Sequence, residues 1–183
     1  ARGAATRNAA AFQAGREIGE LEAQAVSRAE ATAASKVDDA AVKPADDAAK
    51  VRGAGDEAVV LAGGDLAVLT YAERIPPIPG MLDVVLHGSI DDFIVIRGGR
   101  QVPVSHRSLA QYIRNSGQSF ERIRLISCET GAHTKGVAQH LANQLDVDVY
   151  APTEKIHIRP DGSLVIGPKA HTPRGHWQKF EPT

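Results

Sequence analysis

The chain has 183 residues, of which 43% are hydrophobic and 4% aromatic, and its 21 basic residues nearly balance 22 acidic ones. This length predicts one domain with at most an appendage, and the net charge of −1 argues against a protein that binds nucleic-acid phosphates. No apolar run approaches the roughly 20 residues of a membrane-spanning helix, and residues 1–14 lack the apolar core of a signal peptide. The single cysteine, Cys128, excludes an internal disulfide and a zinc site with several cysteines.

The composition divides the chain near residue 58. Residues 1–50 contain 18 alanines but only six large aliphatic or aromatic side chains, too few to bury a core of their own. We therefore interpret residues 1–58 as an Ala-rich linker or loosely helical arm. Residues 59–183 hold all seven histidines, and a segment of this length buries about two-thirds of its unfolded surface when it folds. We expect one globular domain over 59–183.

Strands and helices are predicted to alternate along this domain. Ser105 is the predicted N-cap of a helix through Asn115, and Thr134 that of a helix through Leu145. The turn sequences Gly98-Gly99 and Pro160-Asp161-Gly162 each predict a hairpin. An apolar run at 66–71 precedes strands predicted at 82–86, 93–96, 101–104, 122–127, 147–151, 155–159 and 163–166. This order predicts an α/β fold with a mainly parallel central sheet and inserted hairpins.

Two reactive side chains follow strands of this sheet. His87 comes directly after the strand at 82–86, and Cys128 ends the strand at 122–127. In parallel α/β sheets, ligands and chemistry gather outside the carboxyl ends of the strands. The 41 residues from His87 to Cys128 are ample for a crossover between parallel neighbours. We therefore expect both side chains in one crevice.

A thiol and an imidazole in one crevice are suited to acyl transfer. A thiol with a pKa near 8.5 is mostly protonated at neutral pH, about a few per cent being thiolate. A nearby imidazole raises the reactive fraction or supplies the proton for the leaving group. The N–H groups of Gly88 and Cys128 are candidates to stabilise an oxyanion. Together these groups predict hydrolysis of a peptide bond as the simplest reaction.

The sequence VVLHGS…FIVIRGGRQVPV…SLAQYIRN…IRLISCETG resembles the caspase/gingipain clan of cysteine peptidases. The resemblance covers residues 80–155 and implies a caspase-like βαβ sandwich. It also implies His87 as the general acid/base, Cys128 as the nucleophile, and the Gly88 and Cys128 amides as the oxyanion hole, with no cofactor. The stretch 127–131 departs from the caspase pentapeptide, so the resemblance implies no particular cleavage preference.

Four further side chains are candidates for the substrate pocket. Glu129 and Thr130 directly follow the cysteine, Ser89 follows the His-Gly pair, and Glu154 lies after the strand at 147–151, at the same edge of the sheet. The histidines show no spacing typical of a zinc site, so no metal is expected.

A second resemblance concerns the sequence LISCETGAHTKGVAQHLANQLDVDVYAPTE and the terminal GHWQKF. Both are similar to C-terminal domains of bacterial polymorphic toxins of the Rhs and contact-dependent type. This resemblance implies a toxin effector that is secreted or delivered into a target cell as part of a larger protein. It would act on a protein or peptide in the target cytoplasm and have a cognate immunity protein as a partner.

Two alternatives remain open. One is a nuclease or other nucleotide-directed toxin. Two observations argue against it: residues 59–183 are nearly neutral, with 13 basic and 12 acidic residues, and their sequence has no cluster of carboxylates to bind a metal. The other is a non-catalytic binding module in which Cys128 is a buried structural residue.

Overall fold

The structure is a computed structural model that describes residues 58–62, 65–97 and 99–183. The predicted arm over 1–58 lies outside the described residues except for Ala58, which begins the first strand. The described residues form three helices, α1 (Leu66–Ala72), α2 (His106–Asn115) and α3 (Val137–Leu145). They also form ten strands, β1 (Ala58–Val60), β2 (Met81–Val85), β3 (His87–Gly88), β4 (Phe93–Arg97), β5 (Arg100–Val104), β6 (Arg122–Ile126), β7 (Asp148–Pro152), β8 (Ile156–Ile158), β9 (Leu164–Ile166) and β10 (Trp177–Phe180).

The central sheet has five strands in the order β1-β2-β6-β7-β10. The pairs β1–β2, β2–β6 and β6–β7 are parallel, whereas the edge strand β10 is antiparallel to β7. Strands β3, β4 and β5 form a small antiparallel sheet, and β8 and β9 form a hairpin. The prediction of a mixed α/β fold with a mainly parallel central sheet and inserted hairpins is confirmed.

The two faces of the central sheet are covered by different elements. All five residues of β2 are buried, as expected for a parallel strand that is covered on both sides. On one face, Leu82 and Val84 share a core with Leu109 of α2 and with residues of α3. On the other face, Val85 and Ile126 form a smaller cluster with residues of α1, β8 and β9 packed against it. We call this second side the α1 face.

The helices are short, and α2 has the bounds that the sequence predicts. The Ser105 hydroxyl accepts a hydrogen bond from the Ser108 N–H at 3.1 Å, which is the bond that defines an N-cap. Leu109, Ala110 and Ile113 are buried along one side of the helix, in agreement with its amphipathic pattern.

None of the helices among the described residues has the length and apolar character needed to cross a membrane.

Helix α3 begins two residues later than the sequence predicts. Thr134 is exposed within a run of turns, and Gly136, in an extended conformation, is the N-cap that precedes Val137. The Gly136 N–H donates to the carbonyl oxygen of His133 at 3.1 Å, which closes a turn where the first helical residues were expected. The prediction of Thr134 as the N-cap is therefore wrong, whereas the predicted end at Leu145 is confirmed.

A buried ion pair joins the central strands β2 and β6 on the α1 face. Asp83 and Arg124 are register partners, and the Arg124 Nε and Nη2 each donate to one carboxylate oxygen of Asp83 at 2.6 Å. Arg124 also donates to the Pro76 carbonyl oxygen at 3.1 Å. Burial raises the pKa of the Asp83 carboxyl, and the guanidinium opposes that rise. The bidentate contact holds the two charges together where Asp83 has almost no access to water.

Removing one partner of this pair should be costly. We expect Arg124→Met to lower the free energy of unfolding by about 3–5 kcal/mol, because it leaves a buried carboxylate without its counter-charge. Arg122→Met is a matched control, since Arg122 lies on the same strand and face but donates at the surface to the Pro79 carbonyl oxygen. Its expected loss is below about 1 kcal/mol. Urea denaturation measures the free energy of unfolding of both variants. Equal losses in the two variants would contradict a special role for the ion pair of Asp83 and Arg124.

Candidate functional site

The pairing of β2 with β6 brings His87 and Cys128 to the same end of the central sheet. Val85 is the register partner of Ile126, and the Leu86 N–H extends the pairing by donating to the Ile126 carbonyl oxygen at 3.3 Å. Successive side chains of a strand alternate between faces, so His87 and Cys128, each two residues beyond that pair, are directed to the α1 face. Both line one cavity. The crevice that the two strand ends predict is therefore present.

The cavity is small and mostly apolar. Its volume is about 60 Å³, well below the roughly 150 Å³ of an apolar cavity that binds benzene. Residues of α1 and β8 line it together with residues of the central sheet. Besides His87 and Cys128, its lining includes Ala62, Val68, Val85, Ile126, Ile156 and Ile158.

The Cys128 thiol lies in the wall of this cavity. The residue is partly buried, and its Sγ donates to the Ile156 carbonyl oxygen at 3.8 Å. Burial raises the pKa of the thiol, the bond to Ile156 opposes this rise, and the Glu129 carboxylate adds to it. Burial thus favours the neutral thiol, which is the opposite of the effect expected from a nearby imidazole.

A carboxylate that the sequence pattern did not reveal lies beside His87. The Asp65 Oδ2 is 3.9 Å from the His87 Nε2, which is too long for a hydrogen bond but close enough to attract a protonated ring. The other oxygen, Oδ1, accepts from the Val68 N–H at 3.2 Å and caps α1. The helix start thus fixes the carboxylate that faces the imidazole. An Asp directly before the apolar run at 66–71 is the N-cap signal that would have located it.

Gly88 allows the two strand ends to approach closely. A Cβ atom at this position would overlap the Ser127 Oγ and would lie 2.8 Å from the Thr130 Cγ2. Ser127 is fully buried, and its hydroxyl has no hydrogen-bond partner among the described residues. The glycine after the histidine is therefore a packing requirement of the β2–β6 junction.

The main chain of Gly88 also presents a donor. Gly88 pairs with Phe93 in the antiparallel sheet of β3 and β4, and the next N–H, that of Ser89, donates to the Asp92 carbonyl oxygen at 2.9 Å. Bonded and non-bonded pairs alternate along an antiparallel ladder. The N–H of Gly88 is consequently directed away from β4.

The chain reverses sharply after Cys128. Glu129 has a φ of 59°, in the left-handed region that a non-glycine residue occupies at a cost of about 1–3 kcal/mol. Its N–H donates to the Glu154 carbonyl oxygen at 3.0 Å, and the Gly131 N–H donates to that of Pro152 at 2.9 Å. These two bonds to the end of β7 and the residues after it stabilise the turn and fix the position of Cys128.

The predicted pocket side chains Ser89 and Thr130 do not line the cavity. The Ser89 Oγ accepts from the N–H groups of Asp91 and Asp92 at 3.3 and 3.1 Å and closes the turn before β4. Thr130 is fully buried, and its hydroxyl donates to the Ser127 carbonyl oxygen at 3.0 Å. Both hydroxyls are thus engaged in hydrogen bonds of the local turns.

Glu129 and Glu154, the other predicted pocket residues, also lie outside the lining. The Glu154 carboxylate accepts from the Arg174 Nε at 3.0 Å. Glu129 affects the site at a distance, since its charge raises the pKa of the Cys128 thiol. All four predicted side chains thus lie outside the lining of this cavity, and their contact with a substrate stays a prediction.

The remaining histidines have other environments. The rings of His106 and His140 stack with centroids 5.0 Å apart, at the junction of α2 and α3. The His157 Nε2 lies 3.0 Å from the Gly167 carbonyl oxygen. Over residues 58–62, 65–97 and 99–183, no group of three or more His, Cys, Asp or Glu side chains is arranged to hold a metal ion.

A family match covers the whole of this site. Residues 56–166 match the family described as "Domain of unknown function (DUF8616)". The match spans more than half of the chain, which therefore belongs to that family. No curated protein and no solved structure matches the chain.

Gly88→Ala should destabilise the domain, because the added Cβ would overlap the Ser127 Oγ. We expect a loss of about 1–3 kcal/mol in the free energy of unfolding, the usual cost of overpacking. Ser127→Ala removes the overlapping oxygen and should restore part of that loss in the double variant. Strictly additive losses in a double-mutant cycle would contradict the contact.

The raised pKa of Cys128 predicts slow alkylation at neutral pH. The rate with iodoacetamide should rise with pH to a midpoint above about 8.5, the ordinary thiol value, because burial keeps the thiol protonated over a wider range. Cys128 is the only cysteine, so mass spectrometry follows a single site. The same chain unfolded in urea is the control, and a folded midpoint at or below the unfolded one would contradict the effect of burial.

Proposed function

We propose that this chain is a cysteine endopeptidase in which His87 and Cys128 form the catalytic dyad. The observation that carries the proposal is the placement of both side chains in one cavity at the carboxyl ends of neighbouring parallel strands. A thiol and an imidazole that reach one substrate supply the nucleophile and the general acid/base of acyl transfer.

The reaction starts from a neutral thiol, since burial raises its pKa. His87 takes the thiol proton as the sulfur attacks the carbonyl carbon of the scissile peptide. The C–N bond then breaks, His87 gives the proton to the leaving amine, and the acyl group remains on sulfur as a thioester. A water molecule then attacks the thioester carbon while His87 takes one of its protons. The C–S bond breaks, the carboxylic acid leaves, and His87 returns the proton to the Cys128 sulfur. No cofactor is needed for this sequence.

Main-chain N–H groups are the proposed donors to the oxyanion. The Gly88 N–H is directed away from β4, and the Cys128 N–H lies beside the reacting sulfur at the end of β6. The Glu129 N–H is not available, since it donates to the Glu154 carbonyl oxygen. One donor of this kind contributes roughly 2.7–4 kcal/mol to transition-state stabilisation.

Asp65 is the proposed positioning residue for His87. Its carboxylate lies 3.9 Å from the His87 Nε2, and it would stabilise the imidazolium that forms after proton transfer. With Nε2 turned towards Asp65, the Nδ1 of the ring is left to exchange protons with the thiol and the leaving amine. The N-cap bond of Asp65 to α1 limits the movement of this carboxylate.

We also propose that the fold is caspase-like. The support is the strand order. Strand β2, which precedes His87, lies next to β6, which precedes Cys128, and an antiparallel strand, β10, forms one edge. The hairpin of β4 and β5 and then the helix α2 lie in the connection between the two reactive residues. This is the order of elements on which the resemblance to the caspase/gingipain clan rests.

The proposed biological setting is that of a toxin effector delivered into a target cell and neutralised there by an immunity protein. Its support is the resemblance of residues 125–154 and of the terminal sequence to bacterial polymorphic toxins. A proteolytic dyad in such a domain would act on proteins of the target cytoplasm.

One observation favours a non-catalytic module as the second candidate. Partial burial and a raised pKa of Cys128 are also typical of a structural thiol. In that case Cys128 contributes packing, and His87 has no role in a reaction.

Alanine variants of the dyad separate these two candidates. With the full chain and a quenched fluorescent peptide library, Cys128→Ala should abolish hydrolysis, and His87→Ala should reduce it at least about 100-fold, the scale of a lost general acid/base. His140→Ala is the matched control, because His140 is exposed on α3, across the sheet from the cavity. It should keep the wild-type rate.

Expression in bacterial cells provides the biological readout. Cys128→Ala should also abolish growth inhibition without unfolding the domain, because loss of one partly exposed sulfur leaves little cavity. Hydrolysis and toxicity at the wild-type level in Cys128→Ala, at matched expression, would overturn the peptidase proposal in favour of the structural thiol.

A further inference from the structure

We propose that the apolar cavity beside Cys128 receives the substrate side chain that precedes the scissile bond, and that it selects a short aliphatic side chain of the size of alanine or valine. This inference rests on the proposed peptidase function and adds the substrate class to it. It is carried by the position, the chemistry and the volume of the cavity.

The position follows from the two central strands. Val85 and Ile126 line the cavity and precede His87 and Cys128 by two residues on the same face of the sheet. Part of the cavity is therefore built by the two strands that directly precede the reactive groups. A peptide acyl group bonded to the Cys128 sulfur would have its own side chain within reach of this space.

The chemistry of the walls excludes a charged side chain. Apart from His87, none of the described residues that line the cavity has a charged side chain. A guanidinium that entered would lose its hydration without gaining a counter-charge, and a carboxylate would find only the His87 ring, which the reaction itself uses. Aliphatic groups are stabilised on entering such a space, because their apolar surface is removed from water.

The volume sets the upper size. The cavity holds about 60 Å³, less than half of the roughly 150 Å³ that accommodates a benzene ring. A methyl or isopropyl group fits this space, whereas an aromatic ring would require the walls to move apart. Alanine and valine are therefore the expected residues before the cut.

The edge of β8 gives the substrate main chain a place to bind. The Lys155 carbonyl oxygen accepts from the Gly167 N–H at 2.8 Å, and the Arg159 N–H donates to the Ser163 carbonyl oxygen at 2.9 Å. Since bonding directions alternate along a strand, the carbonyl of Ile156 faces away from β9. It instead accepts the Cys128 thiol. A substrate N–H that takes this acceptor would release the thiol proton for transfer to His87.

Val68 is the wall residue best suited to test the size limit. It belongs to α1, so its replacement leaves the central sheet intact, and its side chain is only partly buried. Val68→Ala should enlarge the cavity, and Val68→Phe should fill it. Leu66→Ala is the matched control, because Leu66 lies on the same helix and is 76% exposed.

The experiment measures kcat/KM of the full chain on peptides that differ only in the residue before the cut. We compare alanine, valine, leucine, phenylalanine, aspartate and arginine at that position. Alanine or valine should exceed phenylalanine and both charged residues at least about 10-fold, the lower limit for discrimination by a pocket of this kind. Val68→Ala should shift the preference towards leucine, Val68→Phe should abolish cleavage after valine, and Leu66→Ala should leave the profile unchanged.

The outcomes separate the inference from the function on which it rests. Cys128-dependent hydrolysis that prefers a charged or aromatic residue would overturn the pocket assignment and leave the peptidase in place. Identical profiles for Val68→Ala and Leu66→Ala would also overturn it, and Ile158→Val, a milder enlargement of another wall, provides a check if Val68→Ala does not fold. Absence of any Cys128-dependent hydrolysis would overturn the proposed function and this inference together.

Discussion

The in-register pairing of β2 with β6 is the constraint on which the rest of the site depends. A shift of one residue would turn every side chain of one strand to the opposite face, and His87 and Cys128 would no longer share a cavity. The buried pair of Asp83 and Arg124 opposes such a shift, because it would move one charge into the apolar core beneath α2 and α3. The ion pair thus helps to fix the register of the two strands. Asp83 and Arg124 each lie four residues before a reactive side chain.

Around this pair of strands, the site is completed by segments that are distant in the sequence. Helix α1 supplies Asp65 and Val68, and the β8–β9 hairpin supplies Ile156, whose carbonyl oxygen contacts the thiol. The turn at Glu129 connects the end of β6 to the end of β7 through main-chain hydrogen bonds. The hydrogen bonds of the Glu129 and Gly131 N–H groups hold its left-handed backbone in place. A strained residue persists in a folded protein only where the surrounding structure holds it in this way.

Much of this arrangement could be predicted from local sequence signals. The Gly-Gly turn, the Ser105 cap and the buried run before His87 each have a local physical cause, and the structure has the corresponding hairpin, helix and strand. The shared crevice followed from the general rule about strand ends in parallel sheets. These features depend on neighbouring residues or on topology, and a single sequence contains both kinds of information.

The properties that could not be predicted arise from tertiary contacts. The direction of Thr130 is set by its bond to Ser127, and the proximity of Asp65 to His87 is set by the packing of α1 on the sheet. The raised pKa of Cys128 results from burial at a cavity that residues of α1, β2, β3, β6 and β8 line. The spacing of residues along the sequence does not reveal these distances or this burial.

The burial of Cys128 also affects how the chain withstands oxidants. Peroxides oxidise cysteine through its thiolate, and the raised pKa keeps the thiolate fraction low at neutral pH. As the only cysteine of the chain, Cys128 has no partner for an intramolecular disulfide. The apolar surroundings that disfavour the thiolate therefore also slow the reaction of this sulfur with peroxides.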